Sequence, residues 1–365
     1  MRLMRLPLLA LTVACVTPAC SDDWAGPAAP GAGFSGTGGT GGGGSGAAGA
    51  GPAGGAGTAG GAGAAGSAGS SGYTHDEVSA AVFPKDRVLD IQFDLAPGVW
   101  EAMIKNAELE QYSSGEVTVD GQDLGTIGLR FKGAYSLDSC VDDQGNLTCE
   151  KLSLKLKFNE VNPDTRLFGL KKLILNKILA GGDVVAETLG YELFNDMGVV
   201  APRTSYATVT VNGESQGLYT VVEALDGRFT KDRFDPGDGN LYKEAWPNQT
   251  SSSYFQQALE TNEETADNST FIGFASAMLA SDDSNRVATL GQYMDLNKLA
   301  DYMAVDYGIA NWDGITTYYC GSWGCSNHNF YMYQDEDRAH FTLIPWDLNA
   351  CLNLSHWLGN IQPWD

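Results

Sequence analysis

Basic residues are scarce in this 365-residue chain: 22 lysines and arginines stand against 45 aspartates and glutamates, and the formal net charge is −23. A protein that binds nucleic acid needs a basic face for the phosphate backbone. We therefore expect no nucleic-acid partner. The acidic residues are spread along the chain and are not collected in a tail, as is typical of a solvated acidic surface.

Charged residues are absent from Ala25 to Gly72, and no aromatic residue follows Phe34 in that segment. Almost all of it is Gly, Ala, Ser, Thr and Pro. Such a composition cannot bury enough apolar surface to offset the entropy that is lost on ordering, and the irregular glycine spacing excludes a collagen helix. We predict that residues 21–72 form a disordered, flexible Gly/Ala/Ser linker and that residues 73–365 form the folded domain.

Apolar runs long enough to cross a membrane are also missing from residues 73–365. At the N-terminus, two arginines precede a short apolar run from Leu6 to Val16, which is the pattern of a secretory signal peptide. The run leads into TPAC, so residues 1–20 resemble a bacterial lipoprotein signal with Cys20 as the lipidated residue, or Cys15 as the alternative. We expect an exported protein of the cell envelope whose only membrane contact is this anchor; plain secretion is the alternative.

Cysteines are few in the folded part: Cys140, Cys149, Cys320, Cys325 and Cys351. An exported protein can form disulfides, and the first two pairs in this order each close a short loop. We predict the disulfides Cys140–Cys149 and Cys320–Cys325, which leaves Cys351 without a partner. A zinc site at CGSWGC is the rival interpretation, but a second paired cysteine motif is lacking.

Apolar periodicity in residues 73–365 predicts an α+β fold with mostly antiparallel sheets. Predicted helices are Pro97–Glu110, Asp183–Met197 (with Asp183 as N-cap) and Asp295–Ala310. Predicted strands are Val88–Ala96, Lys151–Phe158, LKKLILNK and GNLYK, and predicted hairpins turn at Asp120-Gly121, at Asn212-Gly213 and within Gln334–Arg338.

The strand Lys151–Phe158 alternates strictly, so its four apolar residues point one way and Lys151, Ser153, Lys155 and Lys157 point the other way. The apolar side is the expected core side. Two of the lysines on the opposite side, Lys155 and Lys157, are therefore placed to face an anion together.

The order LRFKG, KLSLKLKF, FGLKKLILN, PRTSYATVTVNGESQGLYTVVEALD, GNLYK, NWDG, HNFYMY and IPWDLN resembles the CotH family of spore-coat-type protein kinases, from about Val88 to Asn353. The resemblance implies an atypical two-lobed protein-kinase-like fold. It also implies that the protein uses ATP with Mg²⁺ (or Mn²⁺) to phosphorylate a serine-rich secreted or surface protein.

Asp347 in IPWDLN is a carboxylate among apolar neighbours, which is costly to bury unless a cation or a donor compensates it. It resembles the metal-binding aspartate of kinases, and Mg²⁺ would compensate it. Asp313 in NWDG resembles the catalytic aspartate, which would orient the serine hydroxyl and accept its proton. Asn329 resembles the second metal ligand; Asn327 is a near alternative, because CGSWGC lengthens the spacing from Asp313.

The phosphate-binding cation is expected to be Lys155 or Lys157. Further candidates are Lys132 as a third cation, Glu187 as the partner of the lysine, Glu223 as a metal or nucleotide contact or an alternative partner, and Lys243 beside the linker between lobes.

Two departures from the family pattern keep other functions open. A G-x-G-x-x-G loop is absent, as the family allows, and the chain ends soon after IPWDLN, where family members usually continue, so we expect a truncated C-terminal lobe. The second hypothesis is a catalytically inactive pseudokinase or a structural module of the spore or cell surface. A third, a sugar- or calcium-binding domain, is prompted by DPGDGN but lacks the ligand series of a calcium loop.

Deleting Ala25–Gly72 should leave the melting temperature almost unchanged, because the segment has no residues that can join a core. Differential scanning calorimetry of the full and shortened chains measures this. A fall of more than a few degrees would mean that the segment packs on the domain.

Overall fold

A computed structural model describes residues 72–133, 137, 140, 142, 146–149, 151–178, 183–321, 324–335 and 340–353, with only the backbone described for residues 319–321 and 324–326. The predicted signal peptide and all of the predicted linker except Gly72 lie outside these residues. Helices and strands both occur throughout the described part, which confirms the α+β class.

The strands are β1 Leu89–Asp94, β2 Ser113–Val119, β3 Gln122–Lys132, β4 Ser153–Lys157, β5 Lys172–Lys177, β6 Thr204–Val211, β7 Glu214–Glu223, β8 Asn240–Lys243, β9 Tyr319–Gly321, β10 Gly324–Ser326, β11 Phe330–Gln334 and β12 Phe341–Pro345. The α-helices are α1 His75–Val82, α2 Val99–Lys105, α3 Ala186–Asp196, α4 Gly227–Arg233, α5 Ser252–Ala258, α6 Ser269–Ala280, α7 Arg286–Leu290 and α8 Leu296–Gly308. Short 3₁₀ helices follow at Ala107–Leu109 and Leu348–Ala350. Among the described helices, none is long and apolar enough to span a membrane.

Seven strands close a barrel in the order β1-β2-β3-β4-β5-β7-β6. Neighbours are antiparallel except β1 and β6, whose parallel pairing closes the barrel, with Ile91 opposite Val209. The predicted alternation of β4 is confirmed, because Leu154 and Leu156 are completely buried inside the barrel. The sheet is thus mostly antiparallel, as predicted. Its closure into a barrel was not predicted.

A second hydrophobic cluster forms around the three-stranded antiparallel sheet β8-β11-β12 and the helices that follow β7. Aromatic rings dominate it; Phe271, for example, lies 4.8 Å from both Tyr242 and Phe341 between ring centroids. Ile174 and Val222, on the outside of the barrel, belong to the same cluster. The outer face of β5 and β7 therefore packs against the second cluster.

The local turn signals of the sequence are largely confirmed. Asp120 and Gly121, and likewise Asn212 and Gly213, both adopt positive φ, as a two-residue hairpin turn of type I′ requires. The last hairpin, β11–β12, also forms, but most of its turn (residues 336–339) lies outside the described residues.

Two predicted helix boundaries were wrong. Helix α3 begins at Ala186, although Asp183 still accepts hydrogen bonds from the backbone N–H groups of Val185 and Ala186, at 3.0 and 3.2 Å. It thus satisfies the free donors of the helix start from an earlier position. The helix predicted from Pro97 to Glu110 breaks at Asn106 into α2 and a 3₁₀ turn.

The predicted disulfide Cys140–Cys149 is present. Cys320 and Cys325 lie opposite each other in the β9–β10 hairpin, but their side chains are outside the described residues, so this predicted disulfide and the zinc alternative stay untested. Cys351 is a free, buried thiol, as expected. Burial raises the pKa of Cys351 to about 12.

Glu223, at the end of β7, lies in a buried ion cluster and is 1% exposed. Its carboxylate accepts hydrogen bonds from the guanidinium groups of Arg203 (Nε, 3.0 Å) and Arg233 (NH2, 2.6 Å). Arg233 also pairs with Asp232 at 2.5 Å, and Asp232 meets His75 Nδ1 at 2.7 Å. The cluster ties α1, the barrel and α4 together, and it engages the carboxylate that was a candidate nucleotide contact.

Replacing Glu223 with Ala should destabilise the fold by roughly 3–5 kcal/mol, because it leaves two buried guanidinium groups with only Asp232 as a carboxylate partner. Glu214, the exposed glutamate at the start of the same strand, provides the matched control: Glu214→Ala should change the free energy of unfolding by less than about 0.5 kcal/mol. Urea denaturation measures both. Equal effects of the two substitutions would contradict a stabilising role for the cluster.

Candidate functional site

Asp313 and Asn329, which are sixteen positions apart in the sequence, are in direct contact. Asp313 lies in the loop after α8, and Asn329 lies immediately before β11. The Asn329 amide Nδ2 donates to Asp313 Oδ2 at 2.7 Å and to the Asp313 carbonyl oxygen at 3.0 Å. The structure therefore brings together the predicted catalytic residue and a predicted metal ligand, and it fixes the carboxylate of the first by the amide of the second.

Asp347 lies at the same end of the β11–β12 hairpin. Phe330 pairs with Pro345, and the next backbone bond runs from the Trp346 N–H to the Asn329 carbonyl oxygen at 3.0 Å. Asp347 follows directly, with a left-handed backbone (φ 49°), and Asn329 is also left-handed (φ 60°). Non-glycine residues rarely adopt this conformation, and functional sites are among the places where they do.

Asn327, the alternative ligand, has a different position. Its amide donates to the carbonyl oxygens of Ile315 and Thr317, at 2.7 and 3.0 Å. It therefore braces the segment after Asp313, whereas Asn329 contacts Asp313 itself. The geometry favours Asn329 as the residue that belongs to the site.

Asp306, near the end of α8, organises the loop that carries Asp313, and the sequence analysis did not identify it. It is fully buried and accepts hydrogen bonds from Asn311 Nδ2 at 2.7 Å and from the backbone and hydroxyl of Thr316 at 2.9 and 2.6 Å. Burial raises its pKa despite these bonds. Gly314 allows the tight loop, because a Cβ there would lie 2.4 Å from Asp306 Oδ1.

A signal for Asp306 was present in the sequence. In α8 it falls at the inward spacing set by Tyr302, Val305 and Ile309, all of which are buried. A carboxylate on the apolar face of a helix needs hydrogen-bond donors, and the segment after α8 supplies them.

Lys132, Asn176 and Glu187 form a chain of polar contacts beside Asp347. Lys132 Nζ donates to Asn176 Oδ1 at 2.9 Å, and Asn176 Nδ2 donates to Glu187 Oε1 at 2.5 Å. The pKa of Glu187 is raised to about 8, mainly by burial and also by the nearby carboxylate of Asp347. Glu187 was predicted to pair with Lys155 or Lys157; in the structure it is linked instead to Lys132, through the intervening Asn176.

Further acidic residues surround the end of the hairpin. Glu244 Oε1 accepts a hydrogen bond from the Asn329 backbone N–H at 3.0 Å. Burial raises the pKa of Tyr331 well above its usual value, and Glu260, Glu244 and Asp347 contribute to the shift. The site is therefore rich in negative charge, which favours binding of a cation.

Lys155 lies half-buried on the outer face of β4 and, within the described residues, makes no hydrogen bond or ion pair. The pKa of Lys155 is lowered to about 8, mainly by burial and also by the positive charges of Lys172 and Arg130, while Glu260 opposes the shift. An unpaired cation in such surroundings is destabilised until an anion reaches it.

The remaining candidate residues lie elsewhere or are already engaged. Lys157 pairs with Glu160 at 2.6 Å, near the Tyr112 ring. Lys243 is exposed on β8. Glu223 belongs to the buried ion cluster. The geometry thus ranks Lys155 and Lys132 above Lys157 and Lys243, which the sequence could not do.

The donor set around Asp347 and Asn329 suits a hard divalent cation. Carboxylate and amide oxygens are preferred by Mg²⁺, which usually takes one or two protein carboxylates and completes its shell with water and phosphate oxygens. Asn329 uses Nδ2 for Asp313, so its amide oxygen faces a different direction. Within the described residues, no group of three or more His, Cys, Asp or Glu side chains is arranged to hold a metal by itself.

A cleft of about 1060 Å³ opens on the side of the barrel where β5 begins. It is lined by Lys172 and Glu260, which are two of the charged neighbours of Lys155, and by Arg228. In the described part of the chain, Asp313, Asn329 and Asp347 are not among its lining residues. Lys155 thus has charged neighbours both in the cleft and in Lys132.

Comparison with known proteins identifies the family. A family model described as CotH kinase protein matches residues 129–359, more than half of the chain. The inner spore coat protein H of Bacillus subtilis (strain 168) is 21% identical over 198 residues, which cover 50% of this chain and 50% of that protein. The chain belongs to the CotH family. The aligned part is about half the length of this relative.

Replacing Lys155 with Met should raise the free energy of unfolding at pH 7 by up to roughly 3 kcal/mol, because Met removes a charge that burial disfavours. The pKa of Lys155 is about 8 in the folded protein, against an unperturbed value of 10.5. Between pH 8 and pH 10.5 the unfolded chain therefore binds more protons than the folded protein. The parent protein gains stability as the pH rises through this range. The advantage of Met should therefore shrink above pH 8.

Urea denaturation at pH 7 and pH 10 measures this change. Lys85→Met, at a largely exposed lysine, is the matched control and should have little effect at either pH. A Lys155→Met stabilisation that is the same at both pH values would contradict the electrostatic explanation.

Proposed function

We propose that this protein is an extracytoplasmic, surface-tethered protein kinase that transfers the γ-phosphate of ATP to serines of a secreted or surface protein. The observation that carries the proposal is the direct contact between Asp313 and Asn329, at the end of the hairpin that also presents Asp347. Family membership supports it. The two-lobed kinase-like arrangement is part of the proposal, with the barrel as one lobe and the second cluster as the other.

The proposed catalytic residue is Asp313. Phosphoryl transfer to a hydroxyl needs a group that orients the attacking oxygen and accepts its proton. The hydrogen bond from Asn329 holds one carboxylate oxygen of Asp313 in a defined direction. The buried Asp306 fixes the loop, so that Asp313 does not have to be ordered when the acceptor arrives.

Asp347 and Asn329 would hold Mg²⁺ (or Mn²⁺), and Lys155 with Lys132 would attract the phosphates. The metal ion, when bound, supplies positive charge that offsets the negative charge developing on the phosphate oxygens. The cleft beside Lys172 and Glu260 offers room for the rest of the nucleotide. Unpaired Lys155 supports this assignment, because an anionic ligand would remove the cost of its burial.

The location of the protein is also proposed. The Bacillus subtilis relative is an inner spore coat protein by name. A lipoprotein-type signal, with lipidation at Cys20 or Cys15, and a linker over residues 21–72 would display the domain away from the membrane.

A catalytically inactive pseudokinase or surface module is the second candidate function. It is favoured by one observation: Lys132 donates to the neutral amide of Asn176 and not directly to the carboxylate of Glu187. Protein kinases require the direct lysine–glutamate ion pair. Turnover separates the two candidates.

Asp347→Ala should remove Mg²⁺-dependent ATP binding, because it deletes a metal-ligating oxygen, whereas Asp313→Ala should keep binding and lower phosphate transfer by about 10²–10⁴-fold. Calorimetry with Mg²⁺ and ATP measures binding, and phosphate incorporation into a serine-rich peptide measures transfer. Asp283→Ala, at a highly exposed aspartate, is the control and should match the parent.

The outcomes are distinct. If all three variants bind ATP as the parent does, Asp347 does not hold the metal. If the parent binds ATP and phosphorylates neither the peptide nor itself, the pseudokinase is correct. If the parent binds no ATP, the kinase proposal fails for this chain.

A further inference from the structure

Lys132 is held from two sides by groups without net charge. Its ammonium nitrogen lies 2.9 Å from Asn176 Oδ1 and 5.6 Å from the centroid of the Trp346 ring. Trp346 is the residue before Asp347, and its backbone N–H donates to Asn329. The position of the Lys132 ammonium is therefore coupled to the segment that presents both proposed metal ligands.

We propose that Asn176 is a positioning residue, which holds the ammonium of Lys132 at the Trp346 ring, next to the segment that carries Asp347, without neutralising its charge. This inference rests on the proposed kinase function. Asn176 is 3% exposed and lies on β5 opposite Thr220, so its side chain has little freedom to move. When a phosphate arrives, the Lys132 ammonium therefore moves toward it, while the Asn176 side chain stays in place.

The two neighbours of Asn176 determine the orientation of its side-chain amide. An ammonium group has only donors, so the amide oxygen must face Lys132. The amide nitrogen then faces Glu187, whose carboxyl accepts the bond at 2.5 Å. An asparagine satisfies both neighbours at once, whereas an ionised aspartate has no proton to donate and leucine makes neither bond.

The uncharged link has a chemical consequence. A direct carboxylate partner would add the attraction between opposite charges to the hydrogen bond that the ammonium donates, whereas the amide oxygen of Asn176 carries no net charge. An incoming phosphate would have to break that bond. With Asn176 in between, Lys132 exchanges a weaker bond for the phosphate.

The test uses Asn176→Asp in the full chain, with Asn195→Asp as the matched control. Asn195 is also an asparagine of this region, on α3, and its amide donates to the Tyr191 carbonyl oxygen, away from Lys132. Asn176→Leu is the second variant, for the case in which the aspartate variant does not fold. Thermal denaturation followed by circular dichroism verifies folding.

The first measurement is the acylation rate of Lys132 by acetic anhydride at pH 8, followed by mass spectrometry with exposed Lys85 as the internal reference. Asn176→Asp should slow acylation of Lys132 about tenfold, because a new carboxylate favours the protonated ammonium. Asn176→Leu should accelerate it severalfold, since the acceptor is lost. Asn195→Asp should leave it within twofold of the parent.

The second measurement is transfer to the serine-rich peptide at saturating Mg²⁺–ATP. Asn176→Asp should lower kcat about tenfold or more while the KM for the peptide stays within threefold, because the acceptor side is untouched. The positioning inference is overturned if Lys132 is acylated at the parent's rate in folded Asn176→Asp. If that variant does not fold, the same criterion applies to folded Asn176→Leu. Unchanged kcat would overturn it as well.

Acylation also separates this inference from the proposed function. If the parent transfers no phosphate but the Lys132 rates change as expected, the kinase proposal fails and Asn176 still positions Lys132. If the parent transfers phosphate and the Lys132 rates do not change, the kinase proposal stands and the role of Asn176 is refuted.

Discussion

The packing of Ile174 and Val222 against the second hydrophobic cluster sets the surroundings of Lys155. These two side chains lie on the outside of the barrel and are buried against the second cluster. The strand face that holds Lys155, directly opposite Ile174 in β4–β5 pairing, is thereby partly removed from water. On an open sheet the ammonium of Lys155 would be solvated by water. Here it is partly buried, so its charged form is destabilised unless an anion binds. The lowered pKa of Lys155 thus follows from a contact between apolar residues.

The sequence predicted the features that depend on neighbours along the chain. Alternation in β4 and the positive-φ turns at Asn212-Gly213 are local properties, and both were confirmed. Closure of the barrel was not predictable in this way, because it joins β1 to β6 across more than a hundred residues by parallel pairing. Nothing in either strand specifies its partner, since the inward faces of all seven strands are similarly apolar.

Local sequence patterns likewise limited which candidate site residues could be ranked before the structure was known. Resemblance to a family placed Asp313 and Asn329 in one site, and they meet. Lys155 and Lys157 share a strand and a face, so the pattern made them equal. The structure separates them, because the turn after β4 brings Glu160 to Lys157 alone. Asn176 was missed because a polar residue within an apolar strand carries no sign of its partners until the strands are assembled.

Burial of Cys351 has a consequence for how the chain acquires its disulfide. The thiol donates to the Ala186 carbonyl oxygen, and its pKa is raised to about 12, so almost no thiolate exists in the folded protein at neutral pH. Thiolate is the species that attacks a disulfide. Native packing therefore prevents Cys351 from exchanging with Cys140–Cys149, whereas an unfolded chain has no such protection. Protection of the Cys140–Cys149 disulfide from this thiol thus depends on the packing of α3 against Cys351.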